Sequence, residues 1–484
     1  MCSSDFIRRT RPRISVLEYW KNKIATMNKK NTFNRTTLLL TCLCALLLAT
    51  SCDRNYEAIF AETPDQRAQA VLDQYNTLLM GAPNGWKASL YTGTGAGYFY
   101  YFDFNAEGHV TMLSDFNEET AGEPMETTWT LKSLQRATLS FTTYSYIHLP
   151  ADPDGNINNG VPGSGLLSDF EFAVLRTSGD SVIMKGVQHA AELVLIKASA
   201  AEQSAILGDR IQHLLQQTSA YLAAAKGYRL TLPDHTEVPM ALSISKKLLS
   251  FQYIDSDGTT IKSPRTSYTF SIDGIVLKDP ITIQGSTVHS LFWNDDTNSY
   301  AVNKADGVPL IASDDTFIFE PATPLYSLLD KKLITATLPE GAGVYPLPGQ
   351  SDEFTALYND IATAIYNGPY RLTLRDIRIV FPPNTGLMQF VVTFTQPGQN
   401  GSVNLFSAQY TYSYQLRDGG ILKFKLEGRD QNAGLLYGDF IGILNHFDND
   451  TFAVKYVGGG FNVVAGFFSQ EESGYYFGGY LPEQ

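Results

Sequence analysis

The sequence predicts a mainly β protein of the α+β class: tandem antiparallel β-sheet or barrel-like modules, each preceded by a helix. Three observations predict it. Tyr (27), Phe (28) and Gly (39) are abundant while charged residues are only 18% of the 484, which suits pleated, half-buried surfaces and tight turns. Runs that alternate with period two are cut by Asp-Gly and Asn/Gly turns. One order of elements recurs three times: helix, glycine, aromatic residue, alternating strand.

The chain opens on segments that stand apart from the fold. Residues 1–26, with Arg8, Arg9, Arg11 and Arg13, read as an extension ahead of a second start at Met27. Residues 27–51 read as a lipoprotein signal. Lys29, Lys30 and Arg35 precede the apolar run Leu38–Ala49, and Ala49-Thr50-Ser51-Cys52 closes it. A run of about a dozen residues is too short to cross a ~30 Å hydrocarbon core as a helix. Charged lead, short core and small-residue exit mark a secretory signal. The terminal cysteine resembles a bacterial lipobox, so Cys52 is expected to carry the lipid. The plainer alternative is a cleaved signal with a coincidental cysteine. Residues 52–61 would be a tether.

Cysteine and charge limit the chemistry open to the mature chain. Cys2, Cys42 and Cys44 lie upstream of Cys52, so a mature chain holds one cysteine and no internal disulfide. Residues 1–51 hold nine basic and two acidic residues, leaving 27 basic against 47 acidic, or −20. Such a surface repels phosphate backbones, and nucleic acid is not expected as a partner.

The repeat divides the remainder. Module 1 is expected over 62–198, module 2 over 200–322, a Pro- and Gly-rich linker over 323–349, and module 3 over 350–484. In the first helix Val71, Leu72, Tyr75, Leu78 and Leu79 recur at helical spacing, with Thr63 before Pro64 at its entry; Leu357, Ile361 and Ile365 form the third stripe, entered through Ser351. Gly85, Gly227 and Gly368 stand where a left-handed stop is wanted. Period two then takes over. Gly97–Phe104 leads through a turn to His109–Met112, Leu248–Ile254 through DSDG to Thr259–Ile261, and Phe390–Thr395 through QPGQNG to Val403–Phe406. In GYFYYFDF aromatics occupy both faces, as in a strand covered on both sides. The tail Gly474–Tyr480 reads as a final strand that closes a sheet.

The stretch from Cys52 to Phe116 carries recognisable words: a cysteine-led tail, a helix ending in Ala82-Pro83-Asn84-Gly85-Trp86-Lys87, and an aromatic hairpin ending in Ser114-Asp115-Phe116. It resembles DUF4302, a family of Bacteroidetes lipoproteins that is a domain of unknown function. The resemblance is good over 52–200 and extends over the rest. It implies an outer-membrane lipoprotein in the cell envelope. It also implies a setting beside a SusC/SusD-type nutrient-uptake system, so a TonB-dependent transporter and its surface lipoprotein are implied partners. It brings no catalytic residues. Surface export in such bacteria goes with acidic residues soon after the lipid cysteine. Here only Asp53 and Glu57 appear, split by Arg54, so the face of the membrane stays open.

Local motifs add little chemistry. No nucleophile elbow, zinc-helix, phosphate-loop or kinase pattern occurs. His189-Ala190-Ala191-Glu192 is half of a zinc motif and reads as a surface hairpin. The seven histidines are scattered singly without ligand spacing, so no metal and no cofactor is expected. Asp152/Asp154/Asn156, Asp255/Asp257, Asp295/Asp296 and Asp448/Asp450 could offer oxygens to calcium, but Asp and Asn in such loops more often hold turns. Gly93–Gly97 reads as a hairpin tip. Asp180-Ser181-Val182 fits a short O-glycosylation signal at Ser181.

Tyr410, Tyr412 and Tyr414 alternate with Thr411 and Ser413 and so share one face. They are either core, the default for aromatics where a sheet meets a helix, or an exposed platform for a glycan. Three functions remain open: an accessory lipoprotein binding a nutrient, glycan, peptide or partner protein; a lipid-anchored hydrolase whose acidic residues converge only in the fold; and a structural or adhesive surface module. The first is favoured over an enzyme.

Overall fold

The computed structural model describes residues 62–398 and 402–482; the signal, Cys52 and the tether lie outside them. The chain divides after Gln66, and residues 67–484 form one compact unit. Thr63 and Gln66 exchange side-chain to backbone hydrogen bonds of 2.9 and 3.2 Å at the helix entry, which satisfies two end amides.

In the compact unit the protein is mostly antiparallel β. Helix α1 (Pro64–Met80) leads into eight strands from Trp86–Tyr91 to Glu192–Lys197, paired in chain order and closed by the first upon the last. Closure leaves no edge exposed. Ser199 then caps α2 (Ala200–Leu207), with Glu202 returning the bond to the Ser199 amide at 2.9 Å. Left-handed Asp209 breaks the helix, and α3 (Arg210–Ala223) follows. A second closed barrel runs from Gly227–Thr231 to Val308–Ser313.

The third module starts before its helix α4 (Asp352–Asn367), which Ser351 caps through the Phe354 amide. Residues 323–349 are therefore not a linker. They supply a turn at Leu325–Leu328 and the strand Ile334–Pro339, whose Ala336 and Leu338 are fully buried. The alternation of ITATLP is short, and its Pro/Gly flanks mask it. Phe317–Phe319, placed by sequence in the second module, pairs with Thr451–Gly458 of the third sheet. This nine-stranded sheet also returns on itself. Thr451–Gly458 pairs with Val464–Ser469, that strand with Tyr476–Tyr480, and the last meets Ile334–Pro339 at Thr337. The aromatic tail thus closes the ring. Helix α5 (Tyr437–Asn449) sends Phe440, Ile443, Leu444 and Phe447 into the core.

The glycine stops differ from expectation. Gly85 is left-handed at φ 69°, but Gly227 and Gly368 are not. Gly227 opens a strand and Gly368 is extended at φ −66°.

Gly97–Phe104 is covered on both faces because two barrels meet across it. Tyr98, Tyr100, Phe102 and Phe104 face the first core, while Phe99 and Tyr101 join the second. At Gly97 a Cβ would strike the Tyr268 carbonyl of the second barrel, so only glycine allows the approach. Beside this contact lies a buried ion pair. Lys247, at a hairpin tip of the second barrel, places Nζ 2.9 Å from both the carboxylate and the carbonyl of Asp115. Side-chain exposures are 2% and 0%. Asp115 also accepts the Phe99 amide at 2.8 Å and the Phe270 amide at 3.2 Å, one from each barrel. Nζ sits 4.7 Å from the Phe270 ring centre and 5.5 Å from that of Tyr98. Burial lowers the Lys247 pKa, and the Asp115 charge and hydrogen bond oppose it.

Removing one partner of such a pair strands a buried charge, at a cost of about 3–5 kcal/mol. Asp115→Ala should lower unfolding stability by that amount, and Asp115→Asn combined with Lys247→Met should lose much less. Urea denaturation checks it; a single variant as stable as the wild type would contradict it.

Candidate ligand-binding cleft

The tyrosine face is core. Tyr410 and Tyr412 are 0% exposed. They lie under α5, with Tyr410 6.4 Å from Phe440 and Tyr412 5.4 Å from Phe447 between ring centres. The Tyr410 hydroxyl donates to the Ala433 carbonyl at 2.9 Å. Tyr414 is half-buried, edge-on to Phe381 at 5.4 Å. Burial pushes all three hydroxyls up. The candidate glycan platform is therefore core, the default reading of these rings. Alternation with Thr and Ser placed three rings on one face, and helix α5 covers it.

The carboxylate loops mostly hold turns. Asp152 accepts the Asp154 amide and Asp154 the Asn156 amide, both at 2.9 Å. Asp257 accepts from Thr259 and Thr260, and those hydrogen bonds hold its carboxyl well below the usual range. The His189 segment is a loop pinned by Asp169, which accepts the amides of Gln188, His189 and Ala191. Gly93, Thr94, Gly95 and Ala96 lie in the turn between the first two strands, and Gly97 opens the second. Ser181 is half-buried and opens a strand after the turn at Gly179.

A concavity between modules lies where the second barrel meets the third ring. A polar contact through the buried Gln252 crosses this meeting. Gln252 accepts the Gly459 amide at 2.8 Å and donates to Ser263 at 3.1 Å. Ile254 and Ile261, on a small hairpin of the second barrel, pack into the third core. The cleft alongside has a volume of about 470 Å3, within the range of small-ligand sites. Lys226 and Arg229 stand on the barrel side. Phe317, Phe461, Tyr476 and Tyr480 give aromatic surface, and Gly458-Gly459-Gly460 bares backbone. Both cations are engaged: Lys226 Nζ is 3.4 Å from Asp352 across the cleft, and Arg229 is 2.8 Å from Glu237 and lies over Phe317 at 5.1 Å. Burial raises the Tyr480 pKa, so this phenol stays a neutral donor. Such a lining offers stacking, hydrogen bonding and charge of both signs.

Sequence spacing missed a second grouping. Among the described residues, Glu353, His446 and Glu472 bring one potential ligand atom each to within 4.8 Å of one another. They come from α4, α5 and the last hairpin. The only local sign is His446 four residues before Asp450.

The family model of DUF4302, described as a domain of unknown function, matches residues 56–295. Residues 56–295 are a DUF4302 domain. The match covers the first barrel and stops short of Ser299–Val302 and Val308–Ser313, which complete the second. No curated protein matches the chain. Solved structures similar to it include the DNA polymerase III β subunit of Thermotoga maritima, at 8% identity over 86% of this chain and 98% of that one, TM-score 0.14. Sliding clamps of Bartonella birtlesii (9% identity, 86% and 98% coverage, TM-score 0.13) and C. crescentus (8%, 86% and 97%, 0.14) are others. Scores that low bear on neither fold nor function.

If the tyrosine face is core, Tyr410→Ala should cost about 3–5 kcal/mol of stability, and Tyr410→Phe about 1 kcal/mol for one lost hydrogen bond. Thermal unfolding monitored by circular dichroism reads both. An undiminished melting temperature in Tyr410→Ala would restore an exposed platform.

Proposed function

We propose that the protein is an accessory lipoprotein of the outer membrane, tethered through a lipid on Cys52. Its task is to bind a short polar chain, peptide or glycan, for a neighbouring uptake system of the SusC/SusD type. The cleft between the second barrel and the third ring carries this reading. It has the volume of a small-ligand site, and aromatic faces lie beside cations already held by carboxylates. Paired charges position a polar ligand at little cost in reorganisation. Support for the anchor is the order Lys29, Lys30, Arg35, apolar run, Cys52. No helix among the described residues is long and apolar enough to cross a membrane.

Two measurements test the two halves. Cys52→Ala should move the protein from the membrane to the soluble fraction, and mass spectrometry of the native terminus should find a lipidated Cys52; an unmodified Cys52 ends the anchor. Lys226 is more than half exposed, so Lys226→Glu should keep the fold. It should weaken any ligand found on peptide or glycan arrays by about tenfold, the equivalent of ~1.4 kcal/mol. A ligand held equally well by this variant binds elsewhere.

A further inference from the structure

The third module contains a second cavity, about 520 Å3, where the first turn of α4, the last turn of α5 and the final hairpin converge. Glu353, His446 and Glu472 line it. Its histidine is held in place. His446 Nδ1 lies 2.8 Å from a carboxylate oxygen of Asp450, and that oxygen also accepts the Ser469 hydroxyl at 2.9 Å. Asp450 is buried and caps α5. The imidazole stacks on Tyr475, with ring centres 3.5 Å apart and planes at 10°. The ring is thus fixed from its edge and its face. Its Nδ1 is committed to a carboxylate, which leaves Nε2 for a ligand. A carboxylate on the far nitrogen makes an imidazole a stronger metal donor and fixes its tautomer.

An independent observation points the same way. The Tyr475 hydroxyl is fully buried and has no hydrogen-bond partner among the described residues. A buried hydroxyl left unpaired costs about 1–3 kcal/mol. Its ring stacks on the His446 imidazole, which keeps the hydroxyl close to the cluster. A bound ion with its water would give it a partner and would also neutralise two converging carboxylates.

We propose that Glu353, His446 and Glu472 bind a divalent transition-metal ion of the zinc type. One imidazole and two carboxylates are donors such ions accept, and hard cations such as calcium prefer oxygen alone. Three protein ligands leave a fourth position open. Both glutamates are exposed, so they can be changed without opening the core.

The test is calorimetric titration of Zn2+ into the purified full chain after chelator treatment, with the melting temperature as a second readout. The expected result is one saturable site per chain and a melting temperature that rises with zinc. Glu353→Gln and Glu472→Gln should each keep the apo melting temperature and lose at least about tenfold in affinity. His446→Gln should abolish the site; if it fails to fold, the glutamate variants decide alone. No binding at millimolar zinc overturns the proposal. Binding that both glutamate variants retain also overturns it, since a lone surface histidine would then suffice. Saturable calcium binding without zinc binding overturns the choice of ion. The ligand-binding cleft and Lys226 take no part in this titration, so its outcome is separate from theirs.

Discussion

The pairing of Asp115 with Lys247 is the constraint on which the relation of the first two barrels depends. Neither charge reaches water, and desolvating both costs several kcal/mol. Repayment requires every lone pair and proton to find a partner. Asp115 achieves this with one amide from each barrel and the ammonium. Aromatic rings around the ammonium supply part of the rest. Lys247 holds the left-handed conformation at φ 52°, a cost of order 1 kcal/mol for a residue with a Cβ. The geometry is therefore satisfied in one relative placement of the barrels. An apolar contact of the same area would tolerate sliding; this one does not. Gly97 sharpens the constraint, because the backbones touch where any side chain would intrude.

The second junction has neutral groups at its buried contact, with the Lys226–Asp352 pair exposed beside it. Gln252 is buried and ties Gly459 to the barrel wall, and two isoleucines on a small hairpin cross into the third core. Neutral polar contacts cost less to desolvate than an ion pair. They also confine less. A cleft opens beside this junction, while the first is sealed by aromatic packing. Concavity arises where the fit between closed rings is incomplete, since each ring alone fills its interior with side chains.

Much of the fold was legible, and for local reasons. Period-two runs, turn residues and amphipathic helices are properties of neighbouring residues. Ser351, Thr63 and the aromatics on both faces of GYFYYFDF could be read directly. What stayed open or unseen needed partners from far along the chain. The tyrosine face at 410–414 has the same alternation whether a helix covers it or not, and only the position of α5 decides. Strand Ile334–Pro339 is too short to stand out between prolines and glycines. Lys247 looks like any lysine in a polar turn, although its partner sits in the recognisable Ser114-Asp115-Phe116. His446 gave one local sign through Asp450, but Glu353 and Glu472 arrive from other elements by topology alone.

The DUF4302 match ends at residue 295, before the second barrel is closed by Val308–Ser313. The structural unit therefore runs beyond the matched segment. The groups placed to meet a ligand lie on both sides of that margin, with Lys226 and Arg229 inside the match and the aromatic wall beyond it. One wall of the cleft belongs to the second barrel and the other to the third ring, and the Glu353–His446–Glu472 cluster is wholly within the third ring. The barrels of the matched region have aromatic interiors, closed edges and a buried ion pair whose groups are all engaged. A charge pair satisfied in this way has nothing left to offer a ligand. In the third ring, Glu353, His446 and Glu472 instead converge on an open cavity. On this physical ground recognition is to be sought where the second barrel meets the third ring and within the third ring itself.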